Sequence, residues 1–327
     1  MTLYAILSDI HGNYPALLAA AADARDEARR ERGGPVEFIS LGDVVDYGPQ
    51  PNECVAWVLR RARVTIQGNH DRIAAEPLHA PPLGIDPGLW PIVLWTRSAL
   101  RANHRQSLHR WRDQPGDSAL QASFALCHSD LDESDTYINN PLTAGRTLER
   151  LPTPYGLFGH THIQGGFALS EGQVETVLPM PAGVAEPTSQ PGLRWAPLGT
   201  WFDLPDDGQR MIMNPGSVGQ PRQPARAGGM FLPHDYRAAY LLLRHHPSQG
   251  WQACFRRVDY PVGQTIMRMR ERISWAVRQN PTANSGQDAH PHPFAARVTA
   301  TIAAMDTQLP KLVERLIAYL QPAEELT

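Results

Sequence analysis

The chain has 327 residues, 42% of them hydrophobic and 19% charged, with a formal net charge of −3 at pH 7. That is enough apolar material for one large domain or a domain plus an extension, and 26 Gly with 30 Pro stays below the level of a low-complexity chain. The charge balance gives no basic field for non-specific nucleic-acid binding, and three scattered cysteines, Cys54, Cys127 and Cys254, support neither a disulfide framework nor a thiolate zinc site.

From Met1 the sequence passes straight into an apolar run, 3–7, which reads as a buried strand. No basic n-region or long apolar h-region precedes it, and no apolar stretch approaches the roughly 18 residues of a membrane span. A cytoplasmic protein is therefore expected. An Ala-rich, charged helix follows over 14–32, with Pro15 in its first turn, then a strand over 36–41, a helix over 52–61 and a strand over 64–67. This βαβαβ order predicts a parallel or mixed sheet with helices on its faces, whose ligands gather at the carboxyl ends of the strands. After a Pro-rich loop, 90–113 is helical in pattern, and 123–127 and 155–158 are strands. The Pro- and Gly-rich stretch 165–207 reads as a β-rich, loop-rich insertion; strands return over 209–213, 238–243 and 252–258. Two helices, 262–278 and 295–320, close the chain around the linker "NPTANSGQDAHPHP", so the expected division is a domain over 1–260 and a helical extension over 261–327.

The strand ends share a chemistry. "SDIHGN" follows the first strand, "GDVVDYG" the second, "GNHD" the third, and "CHSD" and "GHTH" later ones. In "SDIHGN" the carboxylate of Asp9 and the imidazole of His11 are two residues apart, a spacing that lets both converge on one point. Adjacent glycines allow sharp turns and close backbone approach. A lone histidine on a strand is more often a hydrogen-bonded structural residue than a ligand, but five such blocks at successive strand ends give Asp9, His11, Asp43, Asn69, His128, His160 and His162 as one candidate set. Seven donors are too many for one tetrahedral ion and suit two ions sharing a carboxylate.

These blocks, in this order, resemble the calcineurin-like metallophosphoesterase superfamily, with its D-x-H, GD, GNH, H and GHxH pattern. "LGDVVDYGPQPNEC" and "NPGSVGQPR" are similar to its bacterial branch related to diadenosine tetraphosphatases, and the resemblance covers about 3–260. It implies an α/β fold, a four-layer αββα sandwich of mixed sheets. It further implies that Asp9, His11 and His162 bind one ion, that Asn69, His128 and His160 bind the other, and that Asp43 bridges them. Two such ions, roughly 3.5–4 Å apart, hold a bridging hydroxide that attacks phosphorus. Imidazole and carboxylate donors suit Mn, Fe, Zn, Ni or Co.

The resemblance also assigns His70, beside Asn69, to the proton needed by the leaving group. "GDVVDYG" has the spacing of a serine/threonine protein phosphatase motif whose second Asp orients that histidine, which pairs Asp46 with His70. Those enzymes carry a phosphate-binding Arg where this chain has Tyr47; Arg222 in "NPGSVGQPR" is the remaining candidate for the substrate's phosphate, unless that stretch only closes a loop near the site. The expected partner is a phosphoester substrate, a nucleotide among the candidates. The leading function is a phosphatase or phosphodiesterase; the alternatives are a dinucleoside polyphosphate hydrolase, or a non-catalytic metal-binding phosphate sensor or scaffold, which would have lost ligands or the acid.

Overall fold

In a computed structural model, residues 2–31, 34–76, 90–112, 116–132, 135–180, 191–206, 208–222, 226–227, 230–231, 235–246 and 248–278 are described. The helix expected over 295–320 and its linker lie outside them.

Strand β1 (Leu3–Leu7) is wholly buried, and its alternating side chains serve two different neighbours. Leu3, Ala5 and Leu7 pack against α1 (Tyr14–Arg30) and α2 (Pro51–Arg61), whereas Tyr4 and Ile6 face a second sheet. Helix α1 forms because its alanines repeat at helical spacing: Ala16, Ala20, Ala24 and Ala28 give a slim face that lets the helix approach the sheet closely. Asn13 caps it by accepting from Ala16 N, and Arg29 and Arg30 fall in its last turn, where the helix dipole favours cations.

The first sheet runs β3-β2-β1-β13-β14-β9, where β2 is Val36–Ser40, β3 Ala62–Thr65, β9 Phe202–Asp203, β13 Ala238–His246 and β14 Gly250–Val258. Strands β1, β2 and β3 are parallel, and β13 and β14 complete it antiparallel, while β11 (Arg226–Ala227) and β12 (Met230–Phe231) pair with each other as a separate ribbon. The second sheet runs β4-β5-β10-β6-β7-β8: β4 is Phe124–Leu126, β5 Tyr155–Leu157, β6 Gly165–Ser170, β7 Gln173–Met180, β8 Leu193–Pro197 and β10 Arg210–Asn214. Ile6, Ile39, Leu241 and Phe255 from one sheet share a core with Phe124, Leu157, Met211 and Met213 from the other. On the far face of the second sheet, Phe167 and Ile212 bury Ala144 and Leu148 of α6 (Pro141–Arg150). The order helix, sheet, sheet, helix is the expected four-layer α/β sandwich. The stretch 165–207 supplies β6, β7, β8 and β9, so it builds both sheets.

Two further helices, α4 (Trp90–Ala99) and α5 (Ala102–Arg110), replace the continuous helical pattern of 90–113. The break has a tertiary cause. Asn52 of α2 donates from Nδ2 to Ala99 O at 2.7 Å and accepts the Arg101 N–H at 2.9 Å, taking the place of helical bonds at the junction. Arg101 is consequently extended, with ψ of 146°. A short helix, α3 (Asn69–Ala75), begins inside the "GNHD" block, and α7 (Val262–Arg278) follows β14 as the pattern predicts.

Candidate metal centre

Every strand-end block meets at one place. The first loop is laced to the second by Asp9 N–H to Gly42 O at 3.0 Å, His11 N–H to Asp43 O at 2.9 Å and Gly12 N–H to Val44 O at 2.9 Å. The second and third loops are in van der Waals contact through glycines: a Cβ on Gly68 would lie 2.1 Å from Asp43 Oδ1, and one on Gly42, at φ +96°, 2.6 Å from Gly68 N. Side chains that face one centre from such crowded turns need unusual backbone. Nine described non-glycine residues have positive φ, and Asp9, His11, Asp43, His160 and His162 are five of them, with Asp46 and Tyr47 two more. Strain is concentrated where the donors are.

Ligand atoms of Asp9, His11, Asp43 and His162 lie within 4.8 Å of one another, and so do those of Asp43, His128 and His160. Asp43 belongs to both groups. Asn69 joins the second, its Oδ1 3.1 Å from His128 Nε2. All seven donors from the sequence are thereby brought together.

Hydrogen bonds fix which atom each ring presents. The Nδ1 atoms of His11, His128 and His162 donate to the carbonyls of Val45, Leu41 and Gln220 at 3.1, 2.7 and 2.9 Å, leaving each Nε2 directed at the centre. His160 is reversed: Nε2 donates to Asp135 O at 3.1 Å, leaving Nδ1 for the centre. Each carboxylate is likewise half used. Asp9 Oδ2 accepts from His160 N and Asp43 Oδ1 from His70 N, while buried Asp9 Oδ1 and Asp43 Oδ2 make no aligned hydrogen bond, His128 Nε2 lying 3.2 Å from Asp43 Oδ2.

Burial holds His11 down to about 3 and His160 to about 4, and it pushes His162 well below the ordinary imidazole value. These rings are neutral near pH 7, so the lone pairs of His11 Nε2 and His162 Nε2 face each other across 3.0 Å. Two acceptors at that distance repel unless a cation lies between them. Burial raises Asp9 to about 7 against the pull of His128, whereas His128 and His70 hold the buried carboxyl of Asp43 well below its usual range. Against the opposing effect of burial, Asp43 lifts His128 to about 10. Buried carboxylate oxygens without aligned donors, opposed lone pairs and a hard-to-borderline donor set without thiolate all fit transition-metal cations.

His70 stands beside this centre. Its Nδ1 donates to Asp46 Oδ2 at 2.8 Å, the pairing expected from the sequence, and burial, which would lower its pKa, is outweighed by Asp43 and Asp46, so its pKa is raised. Its Nε2 lies 3.1 Å from the hydroxyl of Tyr47, a residue to which sequence reasoning gave no role. Asp71 was missed too. Its Oδ1 accepts from Val44 N at 2.9 Å and Val45 N at 3.2 Å and its Oδ2 from Gly68 N at 3.2 Å, joining the second and third loops. The glycine-flanked "GNHD" context could have flagged Asp71, whereas Tyr137, stacked on His160 with ring centroids 4.1 Å apart, carries no motif at all.

"NPGSVGQPR" braces the first and last blocks: Val218 N–H bonds Ser8 O, Gly219 N–H bonds Asp9 O, and Asn214 Nδ2 donates to Gly159 O at 2.7 Å. Arg222 donates its backbone N–H to His162 O and has an exposed side chain whose charge acts on Asp9, His11, His162 and Tyr47. A cleft of about 400 Å³ opens from Asn69 and His128 toward Arg72, Trp111, Arg112 and Thr153.

A two-sheet sandwich with clustered Asp and His at its strand ends defines a metallophosphoesterase framework. Residues 3–164 match the family described as calcineurin-like phosphoesterase, and the chain belongs to that family. It is similar to the crystal structure of a metallophosphoesterase from Sphaerobacter thermophilus, at 27% identity and a TM-score of 0.58 over 82% of this chain and 93% of that one. A hypothetical protein from Pyrococcus horikoshii OT3 shares the fold at 16% identity and a TM-score of 0.57, over 86% and 96% of the two chains. An uncharacterized protein of Methanocaldococcus jannaschii is 24% identical over 237 residues, 68% of this chain and 78% of its own length. Among the described residues no helix is long and apolar enough to cross a membrane.

Proposed function

We propose that the chain is a hydrolase of phosphoesters that works with two transition-metal ions. The observation that carries this is the pair of buried clusters sharing Asp43, in which Asp9 Oδ1 and Asp43 Oδ2 make no aligned hydrogen bond. Asp9, His11 and His162 would hold one ion, Asn69, His128 and His160 the other, and Asp43 both. When bound, such ions supply an activated water and neutralise phosphoryl charge. Mn, Fe, Zn, Ni and Co all match the donors.

The chain's own residues do the rest. His70, fixed at Nδ1 by Asp46, keeps Nε2 free of any carboxylate and beside the Tyr47 hydroxyl, from where it can deliver a proton to the departing oxygen. Asp43 and Asp46 raise the pKa of His70 against the effect of burial, which favours the protonated ring that an acid requires. Arg222, exposed beside His162, is suited to a phosphoryl oxygen of the substrate. The intact donor set and acid favour this reading over a non-catalytic phosphate sensor.

The test is metal-stripped protein reconstituted separately with Mn, Ni, Co, Zn and Mg and assayed on phosphomonoesters, phosphodiesters and dinucleoside polyphosphates, with metal content measured alongside. Hydrolysis of at least one class at two ions per chain is expected. Full activity with one ion, or with none, would overturn the two-ion mechanism.

A further inference from the structure

Resting on the reading of His70 as the acid, we propose that Thr96 on α4 is a positioning residue for it, acting through Asp46. Thr96 is fully buried, and its Oγ1 donates to Asp46 Oδ1 at 2.9 Å. Asp46 is itself fully buried and gives its other oxygen, Oδ2, to His70 Nδ1 at 2.8 Å. The three side chains form one line from a helix to the reacting proton.

A hydroxyl inside a helix ordinarily turns back onto a carbonyl of the preceding turn. Ser98 in the same helix does so, bonding Trp95 O at 2.7 Å. Thr96 instead reaches across to another element. The consequence is mechanical. A carboxylate held by one oxygen can pivot about its Cβ–Cγ bond and carry the imidazole with it; held at both, it fixes the ring plane and the direction of Nε2. Asp46 needs that restraint because its backbone is strained, with φ of +76°.

The next residue strengthens the case. Arg97 donates to Ile73 O at 2.9 Å and to Glu76 O, the carbonyls at the C-terminal end of α3, whose first turn carries His70. Helix α4 therefore grips the acid twice, through Asp46 on the ring and through Arg97 on the helix that bears it. None of this is visible in the "GDVVDYG" or "GNHD" blocks, since Thr96 lies outside both.

The experiment uses the full chain reconstituted with Mn and a series of aryl and alkyl phosphoesters of graded leaving-group acidity, comparing Thr96→Val, Thr96→Ser, His70→Ala and the Thr96→Val/His70→Ala double variant. Thr96→Val is expected to lower kcat by about 10-fold for alkyl leaving groups, the scale of an outer partner that orients a working group. For 4-nitrophenyl esters, which need little protonation, the change should stay within about twofold. KM and metal content should not move. Thr96→Ser, which keeps the hydroxyl, should restore the rate, and the double variant should match His70→Ala alone, as residues working as a unit do. A second readout needs no turnover: in metal-free protein the downfield proton of His70 Nδ1–H should be sharp in wild type and Thr96→Ser and lost to exchange in Thr96→Val. Should Thr96→Val fail to fold, Thr96→Ala carries the same comparison. A loss equal across the series, or none, while His70→Ala stays selective, overturns the role of Thr96 and leaves His70 as the acid. If His70→Ala is itself unselective, the reading of His70 fails and this proposal with it.

Discussion

The centre and the network around β13 and β14 both bury charge, but they treat it in opposite ways. At Asp23, Arg256 donates from Nε and Nη2, and Tyr240 adds its hydroxyl at 2.6 Å; at Asp235, Arg237 donates twice and Arg257 Nη1 lies 3.0 Å away. Each carboxylate oxygen there has a donor. At the centre, Asp9 Oδ1 has none, Asp43 Oδ2 has only His128 Nε2 at 3.2 Å and out of hydrogen-bond alignment, and His11 and His162 oppose their lone pairs. Buried acceptors are costly unless paired. The first network is complete as a protein, whereas the second has the donors and the unsatisfied oxygens that suit cations. Substitutions should separate the two regions by whether metal changes their effect.

The largest effect is expected at Asp43. Asp43→Asn keeps an oxygen to accept the His70 N–H, now at 2.9 Å, and removes the charge shared by both clusters. Hydrolysis should be abolished. Without metal the variant should already melt somewhat lower than wild type, because His128 and His70 lose the carboxylate that raises their pKa. With metal at a thousandfold excess over its Kd, wild type should gain about 4 kcal/mol and the variant far less. Thermal melts with and without Mn, read beside elemental analysis, check this; an equal loss of stability in both conditions would make Asp43 a structural residue.

Asp235→Asn should do the reverse. Arg257 has a side chain 5% exposed and would be left buried with its charge uncompensated, at a cost of about 3–5 kcal/mol whether or not metal is present. Burial alone would raise the carboxyl of Asp235, but Arg237 and Arg257 hold it below the ordinary value. Its contribution is therefore present above the normal carboxylate range and lost as pH falls through the lowered pKa. Urea unfolding at falling pH should show the gap between wild type and variant closing. A gap that is constant, or that widens in acid, would remove the ion pair as its cause.

Much of the centre was legible because its residues sit in short blocks at strand ends. Alternating burial in β1 and the Gly-flanked Asp and His residues can both be read from local sequence, and the structure brings all seven donors, His70 and Asp46 to one place. What could not be read depends on contacts between distant segments. Thr96 meets Asp46 across 50 positions, Asn52 breaks the helical pattern of 90–113 from another helix, and Tyr47 gains its place only once His70 is set against it. Helix α3 was hidden for a different reason. Its seven residues, "NHDRIAA", overlap a motif and are too few to show a helical period.

The smallest effect tests whether the two regions are independent. Tyr240 is fully buried on β13, on the side of the first sheet that faces α1, and its hydroxyl bonds a carboxylate that already has Arg256. Tyr240→Phe removes one donor to a charged acceptor while leaving the ring packing in place. About 1.5 kcal/mol should be lost, the lower end for such bonds, because Arg256 still satisfies the oxygen. The loss should be the same in metal-free and metal-loaded protein, with metal content and hydrolysis unchanged. The main-chain route between the regions is short, since Gln164 Nε2, just past the "GHTH" block, donates to Tyr240 O at 3.0 Å. That bond is made by the backbone carbonyl, which Phe retains. A fall in metal content in Tyr240→Phe would therefore mean that the strand itself shifts, and that the completed network around β13 sets the geometry of the centre.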